Sequence, residues 1–336
     1  MQGIWYWIGS KRRWLIISAL MFGLVGSVAG QAPQTVAGGS MNYLPSVMAH
    51  PELDINNRQS VVNFYQNYYL TSMAVDLGWT GNASTCTPGT TSQAFRDTVL
   101  ARINYYRRMA GMGTVSFDPA LNAKAQQAAL MMSRNRTLNH YPPSTWLCYS
   151  AEGSEAAGKS NLAAGITANG TGAIALYMAD DNTPSVGHRR WLLYPPTLKM
   201  GTGDVDGQNG TIDANSLWVV GNTGPRPATR TEYIAWPPAG FVPSINTNKR
   251  WSFSLPNANF ANATVTMQKA NQQQATTIVS RSGGIADNTL VWDVTGYTNW
   301  PAPTTDVNYT VNVSNVVHNG QTRSFSYQVT VIDPNR

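Results

Sequence analysis

The 336-residue chain contains four histidines, His50, His140, His188 and His318. Two of them sit among other reactive side chains. His188 lies in Val186-Gly187-His188-Arg189-Arg190-Trp191-Leu192-Leu193-Tyr194-Pro195, where an imidazole and two guanidiniums precede an apolar run that a proline ends. Just upstream, Tyr177-Met178-Ala179-Asp180-Asp181 supplies two carboxylates. His140 occurs in Leu138-Asn139-His140-Tyr141-Pro142, past the end of a helical pattern, and Glu152 and Glu155 follow it. A lone histidine is more often structural than functional. Two histidines with carboxylates between them are expected to line a polar cleft. Such a cluster of His140, His188, Glu152 or Glu155, and Asp180 or Asp181 suits two kinds of chemistry. Neutral imidazoles and carboxylates are ligands for a divalent metal such as zinc, with His140 and His188 as the nitrogen donors. Alternatively, one histidine acts as a general base while an acid orients it. Arg189 would repel a cation there. The plain expectation for Arg189 and Arg190 is a salt bridge to Asp180 or Asp181 that fixes a loop, and for Trp191, Leu192 and Leu193 it is core.

Other motifs are excluded on physical grounds. Gly153-Ser154-Glu155-Ala156-Ala157-Gly158-Lys159-Ser160 matches the phosphate-binding loop of nucleotide hydrolases letter for letter. Glu155 would repel the phosphates inside that cradle, and Gly165 and Gly170 interrupt the helix that should follow. No nucleotide is therefore expected. No G-x-S-x-G and no H-E-x-x-H occurs, which removes the usual signatures of α/β-type serine hydrolases and of zinc proteases. Half of the net charge of +6 comes from Lys11, Arg12 and Arg13. The remainder is too mild for a nucleic-acid partner.

The positioning elements can be read from periodicity. In Ser92 to Ala110, Phe95, Val99, Ile103 and Tyr106 fall on one helical face, and Gly111 is a natural stop. Asp118-Pro119 opens a second helix, with an acceptor at the cap and proline in the first turn. Leu121, Ala125, Ala128 and Met132 form its stripe, and the small alanines predict close packing on another element. Ser60 to Leu70 and Gly172 to Met178 read as shorter helices. Residues 146–172 read as irregular. Met200 to Val205 and Ser216 to Val220 read as strands. From Trp251 onward the period becomes two, with Trp251, Phe253, Leu255, then Tyr309, Val311, Val313, then Phe325, Tyr327, Val329 and Val331 alternating with polar residues. Asn319-Gly320 marks a hairpin turn.

Residues 1–30 have a basic start, an apolar stretch from Trp14 to Val28 and small residues for cleavage, the pattern of an export signal, with an uncleaved anchor as the minor alternative. Charged residues are only 12% of the chain, about half the usual share. Cys86 and Cys148 are an even pair too far apart for C-x-x-C chemistry, and in an exported chain they are expected to form a disulfide. The chain therefore divides into a signal or anchor (1–30), an N-terminal extension (31–91), a helix-rich domain (92–222), a proline-rich connector (223–249) and an all-β sandwich of immunoglobulin type (250–334).

Several motifs occur in one order: the helix ending at Gly111, Asp118-Pro119-Ala120-Leu121, His140-Tyr141-Pro142, Ser160-Asn161-Leu162-Ala163, Gly187-His188-Arg189-Arg190-Trp191-Leu192-Leu193 and Gly201-Thr202-Gly203. In that order, over about residues 92–222, the chain resembles the bacterial members of the CAP superfamily, the SCP/PR-1-like secreted proteins. The resemblance implies an α+β fold, an α-β-α sandwich with a large open cleft, followed here by the small β-sandwich. It implies that His140 and His188 occupy the two histidine positions of the cleft. Bacterial members carry Gly-Glu-Asn before Ile/Leu-Ala; here Ser160 stands at the glutamate position, so Glu152 or Glu155 is expected to substitute, and Asp180 or Asp181 to supply the second acid. The resemblance further implies a secreted or envelope-associated protein that binds a small apolar ligand, a lipid or sterol, or an envelope component. The rival reading is a metal-assisted or histidine-dependent hydrolase, and a third is a structural role in which the sandwich tethers the protein to cell-wall polysaccharide.

Overall fold

A computed structural model describes residues 53–72, 75–208 and 210–336. The export-signal reading of residues 1–30, and His50, lie outside the described residues. Helix α1 (Arg58–Phe64) continues as a π-helical turn, Tyr65–Leu70, within the span expected to be helical. Helix α2 (Gln93–Met109) starts where Ser92 accepts from the Phe95 N–H, and Gly111 beyond it takes φ +80°. Strand β1 (Ser116–Phe117) is short, and α3 (Pro119–Asn135) opens with the Asp118 carboxylate accepting from the Ala120 N–H. The capping residues read from the sequence thus do the capping.

Residues 146–172 are a correction. They hold α4 (Ala151–Lys159) and β2 (Ser160–Ala164). Gly153 is a close-approach position inside α4: a Cβ there would meet the Met131 side chain of α3 at 2.8 Å. Ser150 caps α4 by accepting from the Gly153 N–H. The phosphate-loop letters therefore lie in a helix and the start of a strand.

The chain continues through α5 (Gly170–Ala179), α6 (Gly187–Leu192), β3 (Lys199–Val205) and β4 (Ala214–Trp218). The sheet order is β1-β3-β4-β2. Alternation sorts its side chains onto two faces. Leu162, Ala214 and Trp218 pack with Ala128, Met132, Ala156 and Ala157 of α3 and α4. Ala163, Met200 and Leu217 join a core with Val99, Ile103, Ile174, Tyr177 and Leu192 of α2, α5 and α6. This is the expected α-β-α sandwich. On β3, Gly201 and Gly203 face α3 so closely that a Cβ on Gly203 would lie 2.1 Å from the Gln126 backbone nitrogen.

The C-terminal region has two further sheets. One is ordered β10-β11-β7-β5 and the other β6-β13-β12-β8-β9. Its strands are β5 (Ile234–Trp236), β6 (Gly240–Pro243), β7 (Arg250–Ser254), β8 (Thr264–Lys269), β9 (Gln272–Gln274), β10 (Thr276–Ser282), β11 (Thr289–Val294), β12 (Val307–His318) and β13 (Gln321–Ile332). Asn319 and Gly320, both at positive φ, turn β12 into β13. The two sheets meet through pairs such as Trp251–Tyr309 and Phe253–Phe325, consistent with the immunoglobulin-like part expected. The stretch read as a connector carries β5 and β6. Each is an edge strand, and an edge is where a sheet tolerates proline. One apolar core runs from the helices into this region, with Trp236 of β5 packed edge-on against Tyr106 of α2.

Candidate functional site

Helix α5 ends at Asp180, which takes the left-handed conformation at φ 50° and is buried. This turn sends the Asp180 carboxylate to the start of α6. There Oδ2 accepts the backbone N–H of His188 at 2.9 Å and of Arg189 at 3.3 Å. The other oxygen pairs with His188 Nδ1 at 2.8 Å. A carboxylate among free N–H groups at a helix start is stabilised there. With Nδ1–H donating to Asp180, the neutral ring keeps its lone pair on Nε2, the atom a ligand or a transferring proton needs. The His188 side chain is 29% exposed.

Two further groups hold His188, one at its ring and one at its backbone. The Tyr177 ring stacks on it with centroids 5.4 Å apart, and the Tyr177 hydroxyl donates to Asn215 Oδ1 at 2.8 Å. Burial, with the nearby Asp204 carboxylate adding to it, pushes the Tyr177 phenol well above its ordinary range, so it stays neutral. From β2, Asn161 Nδ2 donates to the His188 carbonyl at 3.0 Å. Asp204 itself is fully buried and accepts from the Gly170 N–H at the start of α5, from Thr202 and from Asn215. Its carboxyl is raised by burial, which outweighs those bonds. It caps α5 from a neighbouring strand.

His140 is exposed, and its Nδ1 lies 2.8 Å from the Ala157 carbonyl near the end of α4. Ser160, the residue that follows α4, has a buried hydroxyl with no hydrogen-bond partner. The end of α4 and the start of β2 therefore touch the two histidine segments in turn, through Ala157 toward His140 and through Asn161 toward His188.

The acids do not all gather there. Glu155 pairs with Lys124 at 2.7 Å and Lys159 at 3.0 Å on the α3–α4 surface, and these two cations hold its carboxyl below the ordinary range. Glu152 accepts from Gln127 at 2.6 Å. The Asp181 side chain points to solvent while its carbonyl accepts from Arg250 at 2.8 Å. Of the predicted cluster, only His188 and Asp180 are in direct contact. Both glutamates are satisfied by cations or amides within reach of α4, so Ser160 has no acidic substitute.

A zinc-type centre does not fit. Among the described residues no group of three His, Cys, Asp or Glu side chains is placed to hold a metal ion. His140 and His188 each engage only Nδ1, but Glu155 and Glu152 are held by Lys124, Lys159 and Gln127, and Ser160 brings a hydroxyl rather than a carboxylate.

The arginines also differ from expectation. Neither guanidinium bonds the side chain of Asp180 or Asp181. Arg189 is fully buried and donates to the carbonyls of Met178 (2.7 Å), Ala179 (2.9 Å) and Arg250 (3.1 Å) and to the Ser252 hydroxyl (3.2 Å). Burial lowers it to about 10, against the pull of Asp180 and Asp181. Arg190 donates to the carbonyls of Ile285 and Asp287 in the β region. Carbonyl cages satisfy a guanidinium because its planar fork matches several acceptors at once.

A second feature flanks His140. The loop between α3 and α4 exposes Leu138 (43%), Tyr141 (84%) and Leu147 (52%). It is not loose. Asn135 bonds both the N–H and the carbonyl of Leu147, and Cys148 joins Cys86 in a disulfide, as the cysteine pair predicted. Tyr177, Asn161, Asn215 and Arg250 were not singled out as site residues from the sequence. Two of them had a signal: Tyr177, eleven residues before His188 on the helix that ends at the acids, and Asn161, in the Ser160-Asn161-Leu162-Ala163 motif.

Comparison with known proteins adds the following. Among solved structures, the chain is similar over 29% of its length to PcoC, a methionine-rich copper resistance protein from Escherichia coli, with 92% of that chain covered, 12% identity and a TM-score of 0.22. No curated protein matches the chain. Residues 100–222 match the model of the cysteine-rich secretory protein family, the span that contains α3 to α6, His140, His188 and Asp180. Residues 100–222 of this chain are a CAP domain.

Proposed function

We propose that the CAP domain binds an amphipathic lipid-class ligand outside the cytoplasm, with the apolar part against the loop between α3 and α4 and the polar end toward the histidines. The observation that carries this reading is the set of exposed apolar side chains Leu138, Tyr141 and Leu147 on the loop that also carries His140, held in place by Asn135 and the disulfide. Rigid exposure of such side chains is costly in water and is favoured where something covers them. The disulfide supports an oxidising compartment. No helix of the described residues is long and apolar enough to cross a membrane.

Covering a leucine or tyrosine side chain contributes about 1.5–3 kcal/mol, so each removal should weaken binding about tenfold or more. The test is fluorescence titration with cis-parinaric acid, and sedimentation with phosphatidylcholine vesicles, on wild type, Tyr141→Ser and Leu147→Ser. Absence of binding by the wild type to both probes, or equal binding by all three proteins, overturns the reading. The Asp180–His188 pair favours a second reading, a hydrolase with His188 as general base. Turnover of a nitrophenyl ester that disappears in His188→Ala would support it, and residual turnover equal to wild type would remove it.

A further inference from the structure

The C-terminus of α5 is finished by two guanidiniums from different parts of the chain. The last carbonyls of a helix lack intrahelical partners and carry the negative end of its dipole. Here Arg189 takes those of Met178 and Ala179. Arg250, on β7, takes the next two, Asp181 at 2.8 Å and Asp180 at 3.4 Å. Arg250 is itself aimed by the residue opposite it on β11: its Nε and Nη2 donate to the Asp293 carboxylate at 2.8 and 3.2 Å. That grip leaves Nη1 projecting at the α5 turn. Arg189 returns the contact by donating to the Arg250 carbonyl. The two regions thus interlock around one left-handed residue, Asp180, and that residue's carboxylate sets the orientation of His188.

We propose that Arg250 of the β region is a positioning residue for the Asp180–His188 pair, so that the CAP site takes its working form only while the β region is docked against it. The path is short and made of direct contacts: Asp293 aims Arg250, Arg250 holds the carbonyls of the turn, the turn aims the Asp180 carboxylate, and that carboxylate holds the proton of the imidazole on Nδ1. Without Arg250 the Asp181 carbonyl loses its donor and turns toward water, and the Asp180 carbonyl keeps only the Thr183 N–H at 3.1 Å. The Asp180 carboxylate then loses its fixed direction, and the ring is free to carry its proton on Nε2.

The inference rests on His188 being the working group of the proposed site, but its test reads the ring directly and needs no ligand. Nitrogen NMR of the histidine rings in the full chain distinguishes the two neutral tautomers. Wild type should show His188 protonated on Nδ1. Arg250→Met should show loss of that single form and a mixture containing Nε2–H. Arg226→Met is the control. Arg226 joins the Asp287 carboxylate across the same regional boundary, with both bonds 2.8 Å, but does not touch the α5 turn, so it should leave the His188 signals in place. If Arg250→Met does not fold, Asp293→Asn, which weakens the aim while keeping the guanidinium, should shift the tautomer in the same direction. An unchanged Nδ1–H form in whichever of these variants folds, or an equal change in Arg226→Met, overturns the proposal. Failure of lipid binding or of ester turnover would leave this result standing.

Discussion

Replacing Gly203 by alanine places one methyl group where β3 and α3 leave no room. The added Cβ would lie 2.1 Å from the Gln126 nitrogen, 2.2 Å from the Ala125 carbonyl carbon and 2.3 Å from the Gln126 Cα. All three are backbone atoms, so no rotamer change relieves the overlap. Ordinary contact begins at 3.4 Å, which requires α3 to withdraw by about 1.3 Å. That movement breaks a reciprocal pair of buried bonds at the same point, Gln126 Nε2 to the Asp204 carbonyl and the Asp204 N–H to Gln126 Oε1. Overpacking costs about 1–3 kcal/mol and two such bonds about 1 kcal/mol each, giving a loss of about 3–5 kcal/mol. That is a large part of a typical stability of about 5–15 kcal/mol. Equilibrium urea unfolding of Gly203→Ala should therefore show a midpoint far below wild type. Gly113→Ala is the comparison, since nothing lies within 4 Å of its added Cβ, and it should stay within about 0.5 kcal/mol of wild type. Equal midpoints for the two variants would refute the argument that the α3–β3 approach sets the packing of the CAP domain.

Removing the disulfide with Cys86→Ser and Cys148→Ser together frees a loop of 62 residues and should cost about 2–5 kcal/mol, read as a lower Tm, while hydrogen exchange quickens in residues 136–149; unchanged exchange there would show that Asn135 alone holds the loop. Alkali should unfold the protein. Tyr105, Tyr106, Tyr177 and Tyr327 are fully buried, and burial raises their phenols well above the ordinary value, so above about pH 10 the unfolded chain releases protons that the folded one keeps. The tyrosine contribution to stability should thus be level below about pH 10 and fall above it. Arg107 and Arg189, lowered to about 10 by burial, act in the opposite sense, but the four tyrosines outnumber them. Phenolate absorbance should rise in the same step as the loss of circular dichroism, and complete titration near pH 10 with structure intact would contradict this.

The sequence made legible what depends on near neighbours. Ser92, Gly111 and Asp118-Pro119 bound helices because caps act over three or four residues. Asp180 and His188 are eight residues apart, and the turn between them brings them together. What stayed hidden depends on distant partners. Helix α4 has no strong apolar stripe of its own; Ala156, Ala157 and Gly153 suit the surface that α3 presents. Strands β5 and β6 look like a connector because prolines are admitted at sheet edges. Glu155 is drawn away by Lys124, 31 positions earlier, and Arg189 and Arg190 find carbonyls more than 60 positions later. A charge pattern read locally assigns such groups to each other, whereas the fold satisfies Glu155 from a neighbouring helix and the two arginines across the boundary between its two regions.

The clamp at Asn135 bears on how the protein can be produced. Asn135-Arg136-Thr137 is an acceptor triplet for N-linked sugar. Attachment replaces a hydrogen on the side-chain nitrogen, and in the folded chain that nitrogen bonds two carbonyls, Met131 at 2.8 Å and Leu147 at 2.9 Å. A glycan added during export through a eukaryotic secretory pathway would therefore take a bond from the residue that closes the loop between α3 and α4. Material from such a host would carry an altered rim around His140, whereas material from a bacterial periplasm that lacks the transferase would keep the amide free to close it.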